Sequence, residues 1–216
     1  MITGLANVLS CPFCGGKKEV MIIASGNTFR GTVWSDTRSE YPMLPQVSPI
    51  QRCPHCKKYY FFEQAKKEYS KDPESEMRSF MELGNLSFLE LKEAIRQMQS
   101  QPLTKTQRWI LNHQFFMAYN DAFRRQPKVA FPPSEEDEVL FKNVINDLLD
   151  GIEPSANYEL FHAELLRETG CFEEAKEVLS HHKNEEDKWV VDAMERHIND
   201  ADTMPFLLID KGEILC

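Results

Sequence analysis

Cys11-Pro12-Phe13-Cys14 and Cys53-Pro54-His55-Cys56 repeat one short pattern. Two residues between thiols let both sulfurs of a hook reach the same tetrahedral metal ion, and two such hooks complete a four-sulfur shell of the kind that structural zinc prefers. Cys11, Cys14, Cys53 and Cys56 are therefore the expected metal ligands, as thiolates whose charge is eased by backbone amides in the turns that follow; Gly15 and Gly16 suit such turns. A shell filled by four protein ligands leaves no position for a substrate. The zinc is expected to be structural, and the hooks supply no catalytic centre. Thirty-eight residues lie between Cys14 and Cys53, against roughly fifteen to twenty in compact sites, so the connecting segment must carry an insertion. Of the six cysteines, Cys171 and Cys216 stand far from the hooks and read as spare thiols in a reducing, cytoplasmic compartment.

Other residues able to do chemistry make weaker patterns. His55 could replace a neighbouring cysteine, but the spacing favours Cys56. Glu159 and His162 form a single Glu-x-x-His, half of a di-iron motif whose second copy and further glutamates are not evident. His181 and His182 follow a helix end, where cations are favoured electrostatically. Glu135 to Glu138 and Glu185 to Asp187 fit acidic first turns of helices. Phosphate-binding glycine loops, nucleophile elbows and zinc-protease helices are lacking. An enzyme is not expected.

The elements that would position the hooks are short strands. Glu19–Ala24 and Thr28–Trp34 read as a hairpin turning at Ser25-Gly26-Asn27, and Tyr59–Phe62 reads as an aromatic strand beside them. Tyr41–Pro45, with Pro49 following, reads as the irregular insertion. From about Lys71 the apolar period changes to that of helices. Ser87 and Glu90 make a capping box for a helix to about Gln99; a longer helix spans Thr104 to Arg125; Pro127, Pro132 and Pro133 separate it from one capped by Ser134 and Asp137 and running to Leu149; Gly151 and Pro154 mark a stop and a restart. A further helix is expected from Glu185 to Asn199. Met204–Leu215 reads as a terminal hairpin turning at Asp210-Lys211-Gly212, in need of a further strand from the head or from a second chain.

The order hook, strands, hook, strand resembles that of a zinc ribbon. Tyr158 to Leu179 resembles a tetratricopeptide repeat, with Ala163 and Ala175 at the close helix crossing, Gly170 in the turn and Phe172 plugging the hairpin. The chain as a whole resembles the bacterial proteins that join a zinc ribbon to tetratricopeptide-like helices. That resemblance implies an α+β protein with a ribbon over 1–70, a helical-repeat domain over 71–203 and a hairpin over 204–216. It also implies an adaptor or scaffold that binds a protein or peptide partner. Trp109, His113, Phe116 and Asn120, on neighbouring helical turns, and His162 are the candidate partner-binding residues. Helical spacing also explains the aromatic residues among them as core.

Two alternative functions remain at this stage. Cys-Pro-Phe-Cys resembles the motif of some glutaredoxins and Cys-Pro-His-Cys that of periplasmic thiol oxidases, so a thiol-disulfide oxidoreductase is one. Such motifs require a strand leading into a helix N-terminus, which neither hook has. A nucleic-acid-associated regulator using the ribbon is the other. Residues 1–70 hold nine Lys/Arg against five Asp/Glu, and the remainder sixteen against twenty-nine. The head is thus at +4 and the body at −13; a zinc ion in four thiolates lowers the head to about +2. Nucleic acid is disfavoured by this balance, and a basic protein segment is the partner it favours. Composition is that of a soluble protein, no run approaches the ~18 apolar residues of a membrane span, and Met1–Ser10 lacks the features of a secretory signal.

Overall fold

The computed structural model describes residues 2–3, 7–20, 23–45, 47–69, 85–124, 134–151 and 156–215. The architecture is α+β: a β region, six α-helices among the described residues, and a short terminal hairpin. The strands are β1 (Ile2–Thr3), β2 (Asn7–Ser10), β3 (Lys17–Val20), β4 (Ile23–Ser25), β5 (Thr32–Trp34), β6 (Ser39–Glu40), β7 (Ile50–Arg52), β8 (Tyr59–Phe61), β9 (Lys66–Tyr69), β10 (Leu207–Asp210) and β11 (Glu213–Ile214). The helices are α1 (Phe88–Met98), α2 (Lys105–Arg124), α3 (Glu135–Gly151), α4 (Ala156–Glu168), α5 (Phe172–His181) and α6 (Lys188–Asn199). No helix among the described residues is long and apolar enough to cross a membrane. The expected separators Pro127, Pro132, Pro133 and Pro154, the onset of the helical pattern at Lys71, and Cys216 lie outside the described residues.

The chain forms two compact units. One comprises 1–29 and 41–111, the other 30–40 and 112–216. This division differs from the expected linear boundary at residue 70 in two places.

In the first unit, β2 is the centre of a three-stranded antiparallel sheet, flanked by β3 and β9, and its Leu9 is fully buried. β7 and β8 form a separate antiparallel pair. Helix α1 belongs here, not with the later helices, because its side chains bind β8. Gln97 donates through Nε2 to the Tyr59 carbonyl at 3.0 Å and accepts from the Tyr59 amide at 3.0 Å, so its amide takes the place of a neighbouring strand. Tyr59 Oη donates to Glu93 at 2.8 Å. Both members of the expected capping box are made, Ser87 Oγ accepting from the Glu90 amide at 3.4 Å and Glu90 accepting from the Ser87 amide at 3.0 Å.

The hairpin expected over Glu19–Trp34 does not form. β3 pairs with β2, β4 with β1, and β5 with β6 and β10. Gly26, expected to turn that hairpin, instead admits the chain at Met43, whose carbonyl oxygen would lie 2.2 Å from any Cβ placed there. The aromatic strand pairs with β7 rather than with these strands.

In the second unit, β5 and β6 make a hairpin whose turn carries Asp36, wholly buried. A buried carboxylate requires partners, and these come from α2: Arg124 forms an ion pair with Asp36, and Asn120 donates to it at 2.9 Å. That requirement explains why residues 30–40 leave the strands on either side of them in sequence. β10 then pairs with β5, giving the four-stranded order β11-β10-β5-β6. The terminal hairpin is therefore supplied with a partner strand from within the chain. Its turn has φ of 50° at Lys211 and 91° at Gly212, the paired positive values of a type I′ turn.

Helices α4 and α5 pack as an antiparallel hairpin around Ala163 and Ala175, both fully buried. The turn between them is a Schellman motif: the Cys171 amide donates to the Leu166 carbonyl at 2.9 Å and the Gly170 amide to that of Arg167 at 3.0 Å. Ala193, Met194, Ile198, Phe206 and Leu208 extend the same core through α6 and β10.

Candidate metal centre

Each hook is the loop of an antiparallel hairpin. Ser10 faces Lys17 across the first, and Arg52 faces Tyr59 across the second. The two loops share their hydrogen bonding. The Cys11 amide donates to the Gly16 carbonyl and the Gly15 amide to that of Cys11, both at 2.9 Å; the Cys53 amide donates to the Lys58 carbonyl at 2.9 Å and the Lys57 amide to that of Cys53 at 3.0 Å. Such closed loops present both sulfurs of a hook on one side.

Across the hooks, Cys11 Sγ lies 3.8 Å from Cys56 Sγ, and Cys14 Sγ lies 3.7 Å from Cys53 Sγ. All four sulfurs fall within 4.8 Å of one another. Four sulfurs so placed can hold one metal ion, and these are the four residues that the spacing singled out. Cys11 and Cys53 are buried, Cys56 half-buried and Cys14 exposed. The inner side is closed by Leu9, Val20, Tyr60 and Ala65.

Backbone amides turn toward the sulfurs as expected: Phe13 donates to Cys11 Sγ and Gly16 to Cys14 Sγ, each at 3.4 Å. Burial works against the Cys53 thiolate, but the amides of Cys56 and His55, together with hydrogen bonds from the Cys56 and Cys11 thiols, bring the thiol down to about 6. Burial dominates at Cys11, which is pushed up to about 11 against the amides of Phe13 and Cys14. Burial, then the nearby cysteines, pushes the Tyr60 hydroxyl up to about 12. The four sulfurs thus form a cluster that accepts one negative charge at Cys53 and takes further ones only at a cost that a shared cation would remove.

His55 is not among the clustered ligands. Its Nε2 sits 3.2 Å from the Lys17 carbonyl, and its ring covers Gly16, where an added Cβ would come within 2.4 Å of Cδ2. His55 therefore bridges the second hook to the first by contact.

The candidate partner-binding residues are not gathered on one exposed face. Trp109 is half-buried in the first unit. Phe116 is fully buried in the second, stacked on Phe141 at 5.8 Å and meeting Phe161 edge-on at 5.9 Å. His113 lies 2.7 Å from Thr37 Oγ1 and edge-on to Phe161, and burial, then the Arg38 charge, brings its imidazole down to about 4. Asn120 is 2% exposed and committed to Asp36 and Glu168. His162 is half-buried, and burial lowers its pKa.

Sequence reasoning passed over a buried polar network in the second unit. Glu164 and Arg167, neither exposed, form a bidentate pair at 2.7 and 2.8 Å, and Arg167 also donates to the Asp202 carbonyl. Glu168, beside them, takes Asn120 at 3.0 Å on both oxygens. The available signal was Glu-x-x-Arg-Glu on the face of α4 that also carries Ala163. His182 is likewise enclosed, its two ring nitrogens 3.0 Å from Glu159 and 3.1 Å from Asp187.

The chain matches no protein-family model, and no curated protein or solved structure is detectably similar to it.

Proposed function

We propose that Cys11, Cys14, Cys53 and Cys56 bind one structural zinc ion in a ribbon-like head, and that the protein is a non-catalytic scaffold for a protein partner. The sulfur geometry carries the first part. A tetrahedral ion with Zn–S bonds of ~2.3 Å has sulfur-to-sulfur edges of about 3.8 Å, and the two close pairs are at 3.8 and 3.7 Å. Each close pair joins one hook to the other, as a shared ion requires and as a redox disulfide within a hook does not. Backbone amides of Phe13 and Gly16 donate to the sulfurs, and hydrogen bonds within each hairpin loop close the hooks.

The scaffold reading rests on the closed shell, which leaves no open coordination position, and on the helical hairpin α4–α5, which is similar in sequence to a tetratricopeptide unit. Enclosure of Phe116 and Asn120 moves the partner contacts, on this reading, to outward residues such as His162 and the exposed Val139 and Tyr158. The acidic body favours a basic segment as ligand. Nucleic acid is a poorer fit, since Lys17 and Lys66 are both engaged by Glu68, at 3.4 and 2.9 Å.

Native mass spectrometry and elemental analysis of the full chain test the reading. The expected result is one zinc per chain, lost together when Cys53 or Cys14 is replaced by serine. A metal-free protein whose hooks cycle between dithiol and disulfide overturns it. For the scaffold, crosslinking in the native host followed by reconstitution is expected to give a stoichiometric protein complex that Val139→Glu or Tyr158→Glu weakens. Tighter binding to nucleic acid than to protein, with affinity falling steeply as salt rises, supports the regulator instead.

A further inference from the structure

The second unit contains a cavity of about 180 Å³ that the zinc and scaffold readings do not use. Its walls are aromatic and apolar: Tyr119, Phe123, Phe141 and Pro205. Its inner polar lining is Asn120, Thr203 and Glu168, of which the Glu168 side chain is only 2% exposed. Exposed Glu138 and Lys142 stand at the solvent side, with opposite charges that offset each other there.

Glu168 is an unusual residue to find on such a wall. A carboxylate offers about four acceptor positions, and Asn120 Nδ2 approaches both of its oxygens at 3.0 Å. The nearest cation, Arg167, is 3.9 Å away and already spends two donors on Glu164. Arg124 is engaged by Asp36 and Asp121. Glu164 also hydrogen-bonds the Glu168 carboxyl, which leaves Glu168 with no cation of its own within hydrogen-bond distance, on a wall otherwise lined by the stacked rings of Tyr119 and Phe141. An apolar cavity of ~150 Å³ accommodates benzene, so this one admits a ring with a short arm.

We propose that the cavity binds a small apolar amine, with an aryl or alkyl body against Tyr119, Phe123 and Phe141 and its ammonium group on Glu168. The proposal is independent of the metal centre. Burial, then the Glu164 charge, raises Glu168 well above the ordinary carboxyl range, and a cation bound beside it would favour its charged form.

The test uses the full chain with 13C-methyl methionine, because Met204 lines the cavity; its resonance is assigned by Met204→Leu. Two probes of matched shape are titrated, 2-phenylethylamine and 2-phenylethanol. The expected result is a saturable shift of Met204 by the amine with an affinity at least about tenfold above that of the alcohol. Glu168→Gln keeps the side-chain shape and is expected to lose the amine preference while still admitting the alcohol. Equal binding of the two probes, or a Met204 resonance that neither moves at millimolar concentration, overturns the proposal. The comparison of probes on the unmodified chain stands even if the variant does not fold.

Discussion

Gly15 and Lys57 occupy the same position in their respective hooks, one residue past the second cysteine, and share one backbone conformation, with φ of 70° and 62°. Only the first hook has the residue suited to it. A side chain in this left-handed region costs on the order of 1 kcal/mol, and Lys57 recovers part of that through its bond from Nζ to the Pro54 carbonyl at 2.7 Å. Gly15 has open space around a would-be Cβ, so Gly15→Ala suffers the backbone cost alone, about 1 kcal/mol. Gly16 is not in that region, so Gly16→Ala escapes the backbone cost but must displace the His55 ring, and is expected to cost more. Thermal unfolding of the metal-bound chain measures both, and a Gly16→Ala variant as stable as the native chain would show that His55 yields freely.

Metal removal is expected to act on the first unit and to reach beyond its strands. The hooks close β2–β3 and β7–β8, and Gln97 and Glu93 fasten α1 to Tyr59 of β8. If metal affinity is folding energy for this unit, chelation loosens α1 as well. Hydrogen exchange should show lost protection over 7–20, 50–61 and 88–98, with 158–199 unchanged. Protection retained in 88–98 after chelation would mean that α1 is held by something other than the second hook.

Much of this arrangement could be read from local chemistry. Ser87 and Ser134 announce helix starts because their capping partners lie three residues away, and both boxes are made, the second with the Asp137 amide donating to Ser134 Oγ at 3.2 Å. Asp210-Lys211-Gly212 likewise turns where its residue types allow positive φ. The hooks are legible because a shared ion dictates their internal spacing. The placement of β5–β6 is not, since it depends on Asp36 meeting Asn120, 84 residues away. Helical periodicity correctly put His113, Phe116 and Asn120 on neighbouring turns, but it does not say whether the face they share meets solvent or other helices. For Phe116 it meets Phe141 and Phe161.

The Glu164–Arg167 pair leads to a prediction that separates charge from packing. With neither residue exposed, removal of one strands the other. Arg167→Met is expected to cost about 3–5 kcal/mol, because Glu164 would then be buried without its cation. Replacing both, as Glu164→Leu with Arg167→Met, is expected to recover much of that loss, since paired burial of charges gains little over apolar packing. Urea unfolding followed by circular dichroism distinguishes the cases. A double variant as unstable as the single one would place the value of Arg167 in its bond to the Asp202 carbonyl and its position over Phe206, 5.0 Å from the ring centre.

His113 gives the second unit a pH dependence of definite sign. In the folded protein, burial and then Arg38 bring the imidazole from 6.5 down to about 4, while Thr37 Oγ1 lies 2.7 Å from Nε2. Above pH ~6.5 the ring is neutral in both folded and unfolded chains and costs nothing. Between ~6.5 and about 4 the unfolded chain binds a proton that the folded one refuses, so stability falls as pH falls, at up to 1.4 kcal/mol per pH unit for this group. Below about 4 both states are protonated and the loss levels off near 3 kcal/mol. His113→Gln removes the titration while retaining a polar group toward Thr37. Its stability is expected to decline less over that interval than the native chain's. Parallel decline in the two proteins would show that His113 is not the source of the acid sensitivity.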